Sequence, residues 1–321
     1  MDLPVSAGMG SPYGTRINRG YIQSWNLTWE RRLPWDMSLA AGYVGTVTTH
    51  QLGFYDINAA GAGEGWGGAP LFQRFGRTAL TLRFDGWLSA NYHSLQVALN
   101  KPFSKGFFLK GAYTWSKAMN RTDEDGWSTV LWNHPSVLSK NYGPAGYDRT
   151  HNFQLGFVAE LPFGREGSGL LAAIVRDWSI NGIVSAFTGT PFTVSASGAS
   201  VNAPGNQQSA DLVGTPTRLG GIGAGNPYYD RAAWAPVTEP RFGNTGRNSV
   251  RGPGWWNVDL GLFRRFPIGR ITLEARVEAF NLTNTPHFNN PNGNVNSPGF
   301  MTITSAQPDE RQIRLGLRVS F

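Results

Sequence analysis

Five histidines and one acidic run are the residues of this sequence whose chemistry could hold a metal ion. The acidic run at 123–125 is Asp123-Glu124-Asp125, and carboxylate oxygens are the ligands that Ca²⁺ prefers. A solvated run of charges is the simpler interpretation, and we expect that here. The histidines show no i, i+4 pair and no ligand spacing, so they do not predict a metal site. They are His50, His93, His134, His151 and His287.

Covalent catalysis and phosphate binding are not indicated either. We find no Ser-His-Asp set, no nucleophile elbow between a strand and a helix, and no paired carboxylates in a credible cleft. Residues 221–225 and 252–254 are rich in glycine, but no helix pattern follows them, as a phosphate-binding loop requires. The sequence therefore predicts a protein that is not an enzyme and that needs no cofactor.

A further set of charged residues alternates with apolar ones near the end of the chain. Glu274, Arg276 and Glu278 do so within 271–279, and Arg314 and Arg318 within 311–321. Because a strand points successive side chains to opposite faces, each segment predicts a strand with one apolar and one charged face. In a soluble sandwich the apolar face would be the core, whereas in a membrane barrel it would meet lipid and the charged face would line a wet lumen. In the barrel these five charges could contact a plug, although simple cross-strand pairing is the interpretation that we favour.

Composition narrows the class of protein. The 321 residues include no cysteine, which excludes disulfides and thiolate metal sites, and they include 41 glycines and 12 tryptophans. The longest apolar run, at 170–175, is far shorter than the roughly 20 residues of a membrane helix, so a membrane would have to be crossed by strands. The net charge is +7, but Lys and Arg are scattered along the chain. We therefore expect no nucleic-acid partner, and anionic lipid is the simpler explanation of the charge.

The order of strands and loops decides between the two environments. Four short links (31–34, 101–106, 162–169 and 267–270) alternate with four long loops (50–76, 119–149, 193–253 and 284–308). Membrane barrels have short periplasmic turns and long external loops, whereas loops above about 15 residues are uncommon in compact soluble domains. We therefore predict an all-β, antiparallel transmembrane β-barrel, of which this chain supplies about nine strands. The predicted strands are 21–30, 35–47, 77–100 with a bend near 85–86, 107–117, 151–161, 178–192, 255–266, 271–279 and 311–321.

Two features near the strand ends suggest contacts with the membrane and with its assembly machinery. Five tryptophans near strand ends are predicted to form an interfacial girdle rather than a ligand stack. They are Trp25, Trp29, Trp35, Trp255 and Trp256. The last strand alternates through Leu317 and Val319 and stops on Phe321, which is similar to the recognition signal of bacterial outer-membrane proteins. Outer-membrane lipid and the barrel-assembly machinery are therefore the predicted partners.

A series of short motifs marks a family resemblance that runs from about residue 21 to the end of the chain. They are NYHSLQV at 91–97, FSKG at 103–106, YTWSK at 113–117, DRTHNF at 148–153, ELPFG at 160–164, GTPF at 189–192, FGNTGRN at 242–248, RGPG at 251–254, NVDL at 257–260 and EAFNLTN at 278–284. Each motif alone is modest, but in this order and spacing the set resembles the C-terminal barrel of Oar-like TonB-dependent receptors.

The resemblance implies a receptor of the cell outer membrane whose barrel closes around an N-terminal plug and whose energy comes from an inner-membrane complex acting through TonB. Such barrels need about 22 strands, and residues 1–20 contain no apolar signal-peptide core. We therefore expect 1–20 to be a loop or a fragment start, and 21–321 to be the C-terminal part of a receptor barrel, from a truncated gene model or a split gene. The predicted function is energy-coupled uptake or binding of an unidentified solute. The alternative is a non-transporting barrel that acts as a surface adhesion or structural protein.

Overall fold

Nine long strands form one antiparallel sheet in the computed structural model, which describes residues 8–10, 17–123, 130–163, 169 and 174–321. Each strand pairs with its neighbours in the sequence. Among the described residues, the first and last strands do not pair with each other, so the sheet is open along both edges. The predicted antiparallel architecture of about nine strands is confirmed. The strands are β1 (Tyr21–Leu33), β2 (Met37–Asp56), β3 (Thr81–Ser104), β4 (Phe107–Asn120), β5 (His151–Glu160), β6 (Trp178–Phe187), β7 (Trp255–Ile268), β8 (Ile271–Phe280) and β9 (Gln312–Ser320).

Short turns join the strands at one end of the sheet and long loops join them at the other. The turns between β1 and β2, β3 and β4, and β7 and β8 have two or three residues, and the link from β5 to β6 is described only in part. The long loops all follow even-numbered strands, so they emerge together at the opposite end. We call them L1 (57–80), L2 (121–150), L3 (188–254) and L4 (281–311), and together the loop cap.

The loop cap contains short elements of its own. Its helical segments are a six-residue α-helix, α1 (Pro70–Phe75), and the 3₁₀ turns Gly65–Gly68, Leu138–Asn141 and Arg231–Ala233. Its two-stranded ribbons are Pro191–Phe192 with Val250–Arg251, Ser195–Ala196 with Gln208–Ser209, and Asp211–Leu212 with Trp234–Ala235. Gly143–Pro144 pairs with the end of β4, and Gly8–Gly10 lies parallel to the start of β3. No helix among the described residues is long and apolar enough to cross a membrane.

Several element boundaries differ from the sequence predictions: β1 continues to Leu33 and β3 continues to Ser104, into the links predicted at 31–34 and 101–106. The loop predicted at 50–76 is wrong in its first part, because β2 continues to Asp56 and pairs with the start of β3 beyond a bulge at 48–52. Trp35, predicted in β2, lies in the preceding turn with φ of 60°. The segment Pro191–Phe192, predicted as the end of β6, has left the sheet to pair with Val250–Arg251.

The pairing register places most of the large apolar side chains of the nine strands on one face. Leu109 of β4 stands opposite Phe157 of β5, which stands opposite Gly182 of β6, and Leu260 of β7 continues the same row. Directly paired residues share a face, so the alternation continues from strand to strand without a slip. We call this the apolar face and the other the polar face. The apolar face includes Trp25, Leu27, Trp29, Leu39, Ala41, Tyr43, Leu95, Val97, Leu99, Phe107, Leu109, Tyr113, Trp115, Phe153, Leu155, Phe157, Ile180, Val184, Trp256, Val258, Leu260, Leu262, Leu273, Val277, Ile313, Leu315, Leu317 and Val319.

The apolar face is exposed, and the main buried core lies in the loops. Leu27, Leu315 and Leu317 are 77%, 80% and 68% exposed. A large cluster of buried apolar side chains instead belongs to L3 and L4, where it is built from Phe192, Val194, Ala210, Tyr228, Tyr229, Ala233, Trp234, Val250, Phe300, Met301 and Ile303. The other described sheets are two-stranded, so no second sheet of comparable size covers the apolar face as a sandwich would require. A face of this extent exceeds the few hundred Å² of contiguous apolar surface usual in water, and lipid is the environment that covers it.

Candidate functional site

The polar face of β7–β9 carries interleaved carboxylates and guanidinium groups. Glu274 accepts hydrogen bonds from Nε of Arg265 at 3.0 Å and from Nε of Arg276 at 2.7 Å. The register sets Glu274 opposite Arg318 and Glu278 opposite Arg314. The structure therefore brings together all five charged residues that the sequence placed on this face, and their contact with a plug stays a prediction.

Aromatic rings hold two of these guanidinium groups in place. Arg276 lies 5.7 Å from the ring centre of Phe263, and Arg314 lies 4.9 Å from that of Phe280. Such stacking is worth about 0.5–1 kcal/mol at exposed sites and fixes the plane of the guanidinium. The polar face is thus an ordered array of charges rather than a set of freely moving side chains.

A cavity of about 440 Å³ lies where the polar face meets L4. Its lining includes Trp255, His287, Asp309 and Arg314. The imidazole of His287 is ion-paired with Asp309 when protonated, and it stacks on Trp255 with ring centres 4.2 Å apart. An aromatic wall beside charged groups can hold a polar solute by stacking and hydrogen bonds, so this cavity is the candidate solute site.

The position of Trp255 corrects one member of the predicted girdle. Adjacent residues of a strand point to opposite faces, so Trp255 and Trp256 cannot both face lipid. Trp255 lies on the polar face opposite Phe187, whereas Trp256 lies on the apolar face with Trp25 and Trp29. Trp35 lies in the turn between β1 and β2 and is 77% exposed. For the remaining four tryptophans of the predicted girdle, an interfacial role stays a prediction.

Arg247 is a buried cation that ties L2 and L3 to the end of β4. Its side chain is only 4% exposed. It donates to the backbone carbonyl oxygens of Asn141 and Asn120, both at 2.7 Å, and to the carboxylate of Asp123 at 2.9 Å. Because every one of these acceptors belongs to β4 or L2, the guanidinium joins segments more than a hundred residues apart in the sequence.

Asp123, which the sequence placed in a solvated run of charges, has a side chain that is 37% exposed and also bonds to the protein. Its carboxylate accepts hydrogen bonds from the backbone amide of Gly146 at 2.6 Å and from the side chain of Asn120 at 3.1 Å, besides the ion pair with Arg247. Burial acts to raise the pKa of Asp123, but the Gly146 amide and the Arg247 charge outweigh it and the pKa is lowered. The other two residues of the acidic run, Glu124 and Asp125, lie outside the described residues.

A second ion pair fastens the base of the same loops. Asp148, with its side chain almost fully buried, is ion-paired with Arg251 and accepts a hydrogen bond from the backbone amide of Ala118 at 2.6 Å. The neighbouring Arg149 donates to the carbonyl oxygen of Thr188 at 2.7 Å. These bonds fix the ends of L2 and L3 against β4 and β6.

Lys140 and Arg241 stabilise the ribbon region of L3. Lys140 donates to the hydroxyl of Ser209 at 2.9 Å and to the carbonyl of Gly243, with its ammonium 4.9 Å from the ring centre of Trp132. Burial lowers the pKa of Lys140 to about 8, against an opposing effect of the Asp211 charge. Arg241 binds both oxygens of Asp211, at 3.0 and 2.5 Å, and this hydrogen bonding lowers the pKa of the Asp211 carboxyl. The loop cap therefore holds several charges in fixed geometry.

The motifs of the family resemblance coincide with this loop frame. In the GTPF and RGPG motifs, a β-carbon at Gly189 would collide with the backbone of Gly252, so the two segments can approach this closely only because residue 189 is glycine. In the EAFNLTN and NVDL motifs, Asn281 adopts φ of 48°, and its backbone N–H donates to the carboxylate of Asp259 at 2.8 Å. The family pattern marks these segments of the sequence, but it does not indicate their role in holding the loops. The signal in the sequence for these loop-holding contacts is an isolated Arg or Asp inside a loop rich in Gly and Asn.

The histidines lie in separate local settings. His50 bonds the carbonyl of Gly86 at 3.1 Å, and His134 bonds Ser136 at 2.8 Å. His93 and His151 each bond a tyrosine, whereas His287 lies in the L4 cavity. Within the described part of the chain, no three His, Asp or Glu residues come together in a way that could hold a metal ion.

The residues of the predicted assembly signal lie at the free edge of the sheet. Leu317 and Val319 are 68% and 54% exposed on β9, and Phe321 follows the end of that strand. They are accessible to another chain along this edge. Recognition by the barrel-assembly machinery stays a prediction.

Comparisons with known proteins agree with this architecture. A family model described as an outer membrane beta barrel domain matches residues 4–314. Among solved structures, the chain is similar to the outer membrane transporter YddB from Escherichia coli, with a TM-score of 0.50 and 8% identity over 98% of this chain and 34% of that chain. It is also similar to the ferric-catecholate import receptor Fiu from E. coli, with a TM-score of 0.46 and 13% identity over 98% of this chain and 30% of that chain. The pyoverdine outer membrane receptor FpvA from Pseudomonas aeruginosa has a TM-score of 0.48 and 13% identity, with coverages of 94% and 30%.

The chain thus spans about a third or less of the length of these three receptors and transporters. At such low identity the similarity concerns the fold alone. The comparison with curated protein sequences found no match.

Proposed function

Because the chain belongs to the outer membrane beta barrel domain family and is a protein of the outer membrane, we propose that it forms the C-terminal barrel section of a TonB-dependent receptor. In this role the receptor takes up a bulky solute that diffuses too slowly through simple pores. The apolar face of the sheet meets outer-membrane lipid, the polar face lines the lumen, and the loop cap stands at the external mouth.

The pre-organised loop cap beside the charged polar face is the observation that carries this proposal. A passive pore needs only an open lumen, whereas a receptor needs a fixed binding surface at its mouth. Arg247 and Arg251 hold the loops through ion pairs in which one partner is buried, and the cavity beside Trp255 and His287 opens at their base. These features suit capture of a solute before it passes into the lumen.

Two surfaces of the sheet have protein partners in this proposal. The charged residues of β8 and β9, such as Glu274 and Arg318, contact a plug formed by polypeptide outside these 321 residues, and TonB acts on that part of the receptor. The edge of β9, with Leu317, Val319 and Phe321, is recognised by the barrel-assembly machinery.

A comparison of culture media tests this function. The gene would be deleted in the source strain, and the solutes removed from the medium would be compared among the parent, the deletion strain, the restored strain and a strain without TonB. We expect at least one solute to disappear from the medium only when both the receptor and TonB are present.

Two other outcomes would contradict energy-coupled uptake. Removal of the solute without TonB would indicate a passive pore. If the parent and the deletion strain removed the same solutes from the medium, and the deletion altered the attachment of cells to surfaces, the non-transporting adhesion or structural barrel would be favoured. The packed core of L3 and L4 suits such a role.

A further inference from the structure

The two faces of the sheet differ in the charges that they carry, because carboxylates occur on one face whereas cations occur on both. Apart from Asp56 and Asp85, which lie beyond the bulge of β2, every carboxylate of the nine described strands is on the polar face. These carboxylates are Glu30, Glu160, Asp259, Glu274 and Glu278. The apolar face carries cations only, and they lie toward its two ends: Arg31, Lys101 and Arg264 near the turns, and Lys117 near the loop cap. A membrane-facing surface with cations and no carboxylates is complementary to anionic lipid.

Two identical pairs of polar side chains lie on the apolar face at its loop end. The hydroxyl of Tyr43 is 2.7 Å from Nδ1 of His93, and the hydroxyl of Tyr113 is 2.8 Å from Nδ1 of His151. In both pairs the rings are stacked, with an interplanar angle of 18°. When the tyrosine hydroxyl donates to Nδ1, the proton of a neutral imidazole resides on Nε2. Each histidine then presents an N–H donor, which suits an anion rather than a cation.

Lys117 and aromatic rings complete this cluster. The register sets Lys117 directly opposite His93, and it sets Trp115 opposite His151. The Trp25 ring centre lies 6.2 Å from that of His93. Lys117 is exposed, so its ammonium can reach a group at the membrane surface. We call Lys117, His93 and His151 the headgroup cluster.

Lys117 and His93 of the headgroup cluster border a cavity of about 540 Å³ at the loop end of the sheet, and the rest of its lining is shared between the apolar face, two serines of the polar face and the loops L2 and L3. Tyr43, His93, Leu95, Trp115 and Lys117 contribute to that lining. Donors therefore lie at the membrane boundary, and an apolar surface runs from them toward the middle of the bilayer. A molecule that combines a phosphate with acyl chains matches both parts, whereas a free anion matches only the first.

We propose that the headgroup cluster binds the phosphate of a phosphorylated lipid in the external leaflet. Lys117 supplies the charge, His93 and His151 supply directional N–H donors, and the acyl chains lie along Leu95, Val97 and Leu99. The lipid contacts proposed here are made by residues of the membrane-facing side of the barrel. It therefore rests on the outer-membrane location and stands apart from the proposed uptake of a solute.

Native mass spectrometry of the full chain in detergent micelles tests the proposal. The probes are lipid A, which carries two phosphates, its dephosphorylated form, and zwitterionic phosphatidylethanolamine. We expect lipid A to be retained preferentially, and Lys117→Gln to weaken its binding by about five-fold, the effect of one lysine near an anionic membrane surface. Lys110→Gln is the matched control, because Lys110 lies on the same strand but on the polar face, and it should leave binding unchanged.

Two further variants separate binding from folding. Lys117→Arg keeps the charge and should retain binding, whereas His93→Phe, which keeps an aromatic ring but removes the N–H donor, should weaken it. Equal loss in Lys110→Gln, equal binding of dephosphorylated lipid A, or displacement of lipid A by millimolar inorganic phosphate would each overturn the proposal.

Discussion

Arg247→Met should destabilise the loop cap by about 3 kcal/mol, because the buried guanidinium loses several hydrogen bonds and each bond made by a charged group contributes about 1.5–3 kcal/mol. Methionine fills part of the same volume, so the loss comes from the hydrogen bonds rather than from a cavity. The carbonyl oxygens of Asn120 and Asn141 and the carboxylate of Asp123 would then lack their donor. Protease cleavage of the loops as a function of urea, in protein folded in vesicles, measures the change.

Arg176→Met is the control for this prediction. Arg176 forms an exposed pair with Asp177 at 3.7 Å, with side chains 51% and 43% exposed. Exposed pairs contribute about 0–1 kcal/mol, so the loops of this variant should resist protease as the original chain does. If Arg247→Met behaved like Arg176→Met, the loop cap would be held by its apolar core alone.

Val97→Arg and Ala98→Arg should have opposite outcomes, although the two residues are neighbours in β3. Val97 lies in the apolar face, between Ala41 and Tyr113, whereas Ala98 lies in the polar face, between Ala40 and Ala112. An arginine in the lipid-facing band near the middle of the bilayer costs about 2–4 kcal/mol, and one facing a wet lumen costs far less. The amount of each variant recovered in the outer-membrane fraction measures the difference.

The matched pair tests the assignment of faces independently of side-chain size and charge. Val97→Arg should be depleted from the membrane and degraded, and Ala98→Arg should be recovered at close to the original level. The reverse order would mean that the register is shifted by one residue or that the apolar face is not the one in lipid.

The strands could be predicted because lipid and lumen impose a strict period of two on the sequence. In β8 and β9 the pattern is uninterrupted, and both their extent and their faces follow from it. In β2 the bulge at 48–52 breaks the period, so the strand beyond it was missed. The same alternation would have placed Trp255 on the polar face had it been applied residue by residue.

The loop cap could not be derived in this way, because its contacts have no local period. The guanidinium of Arg247 binds the carbonyl of Asn120, 127 residues earlier in the chain. Asp123 illustrates the consequence, since an acidic run in a loop suggests solvation unless its distant cation is known. The family motifs marked the right segments, but only the structure shows that Gly189, Gly252 and Asn281 make close backbone approaches and tight turns there.

In the proposed orientation, the sheet spans the outer membrane with the loop cap outside the cell and the short turns in the periplasm. The chain contains no cysteine, so single-cysteine variants report on one position each. Thr215→Cys places a thiol on an exposed part of L3, and Lys105→Cys places one in the exposed turn between β3 and β4. On intact cells, a membrane-impermeant maleimide should label Thr215→Cys, and it should label Lys105→Cys only after the outer membrane is opened. Labelling of Lys105→Cys but not Thr215→Cys on intact cells would contradict the account.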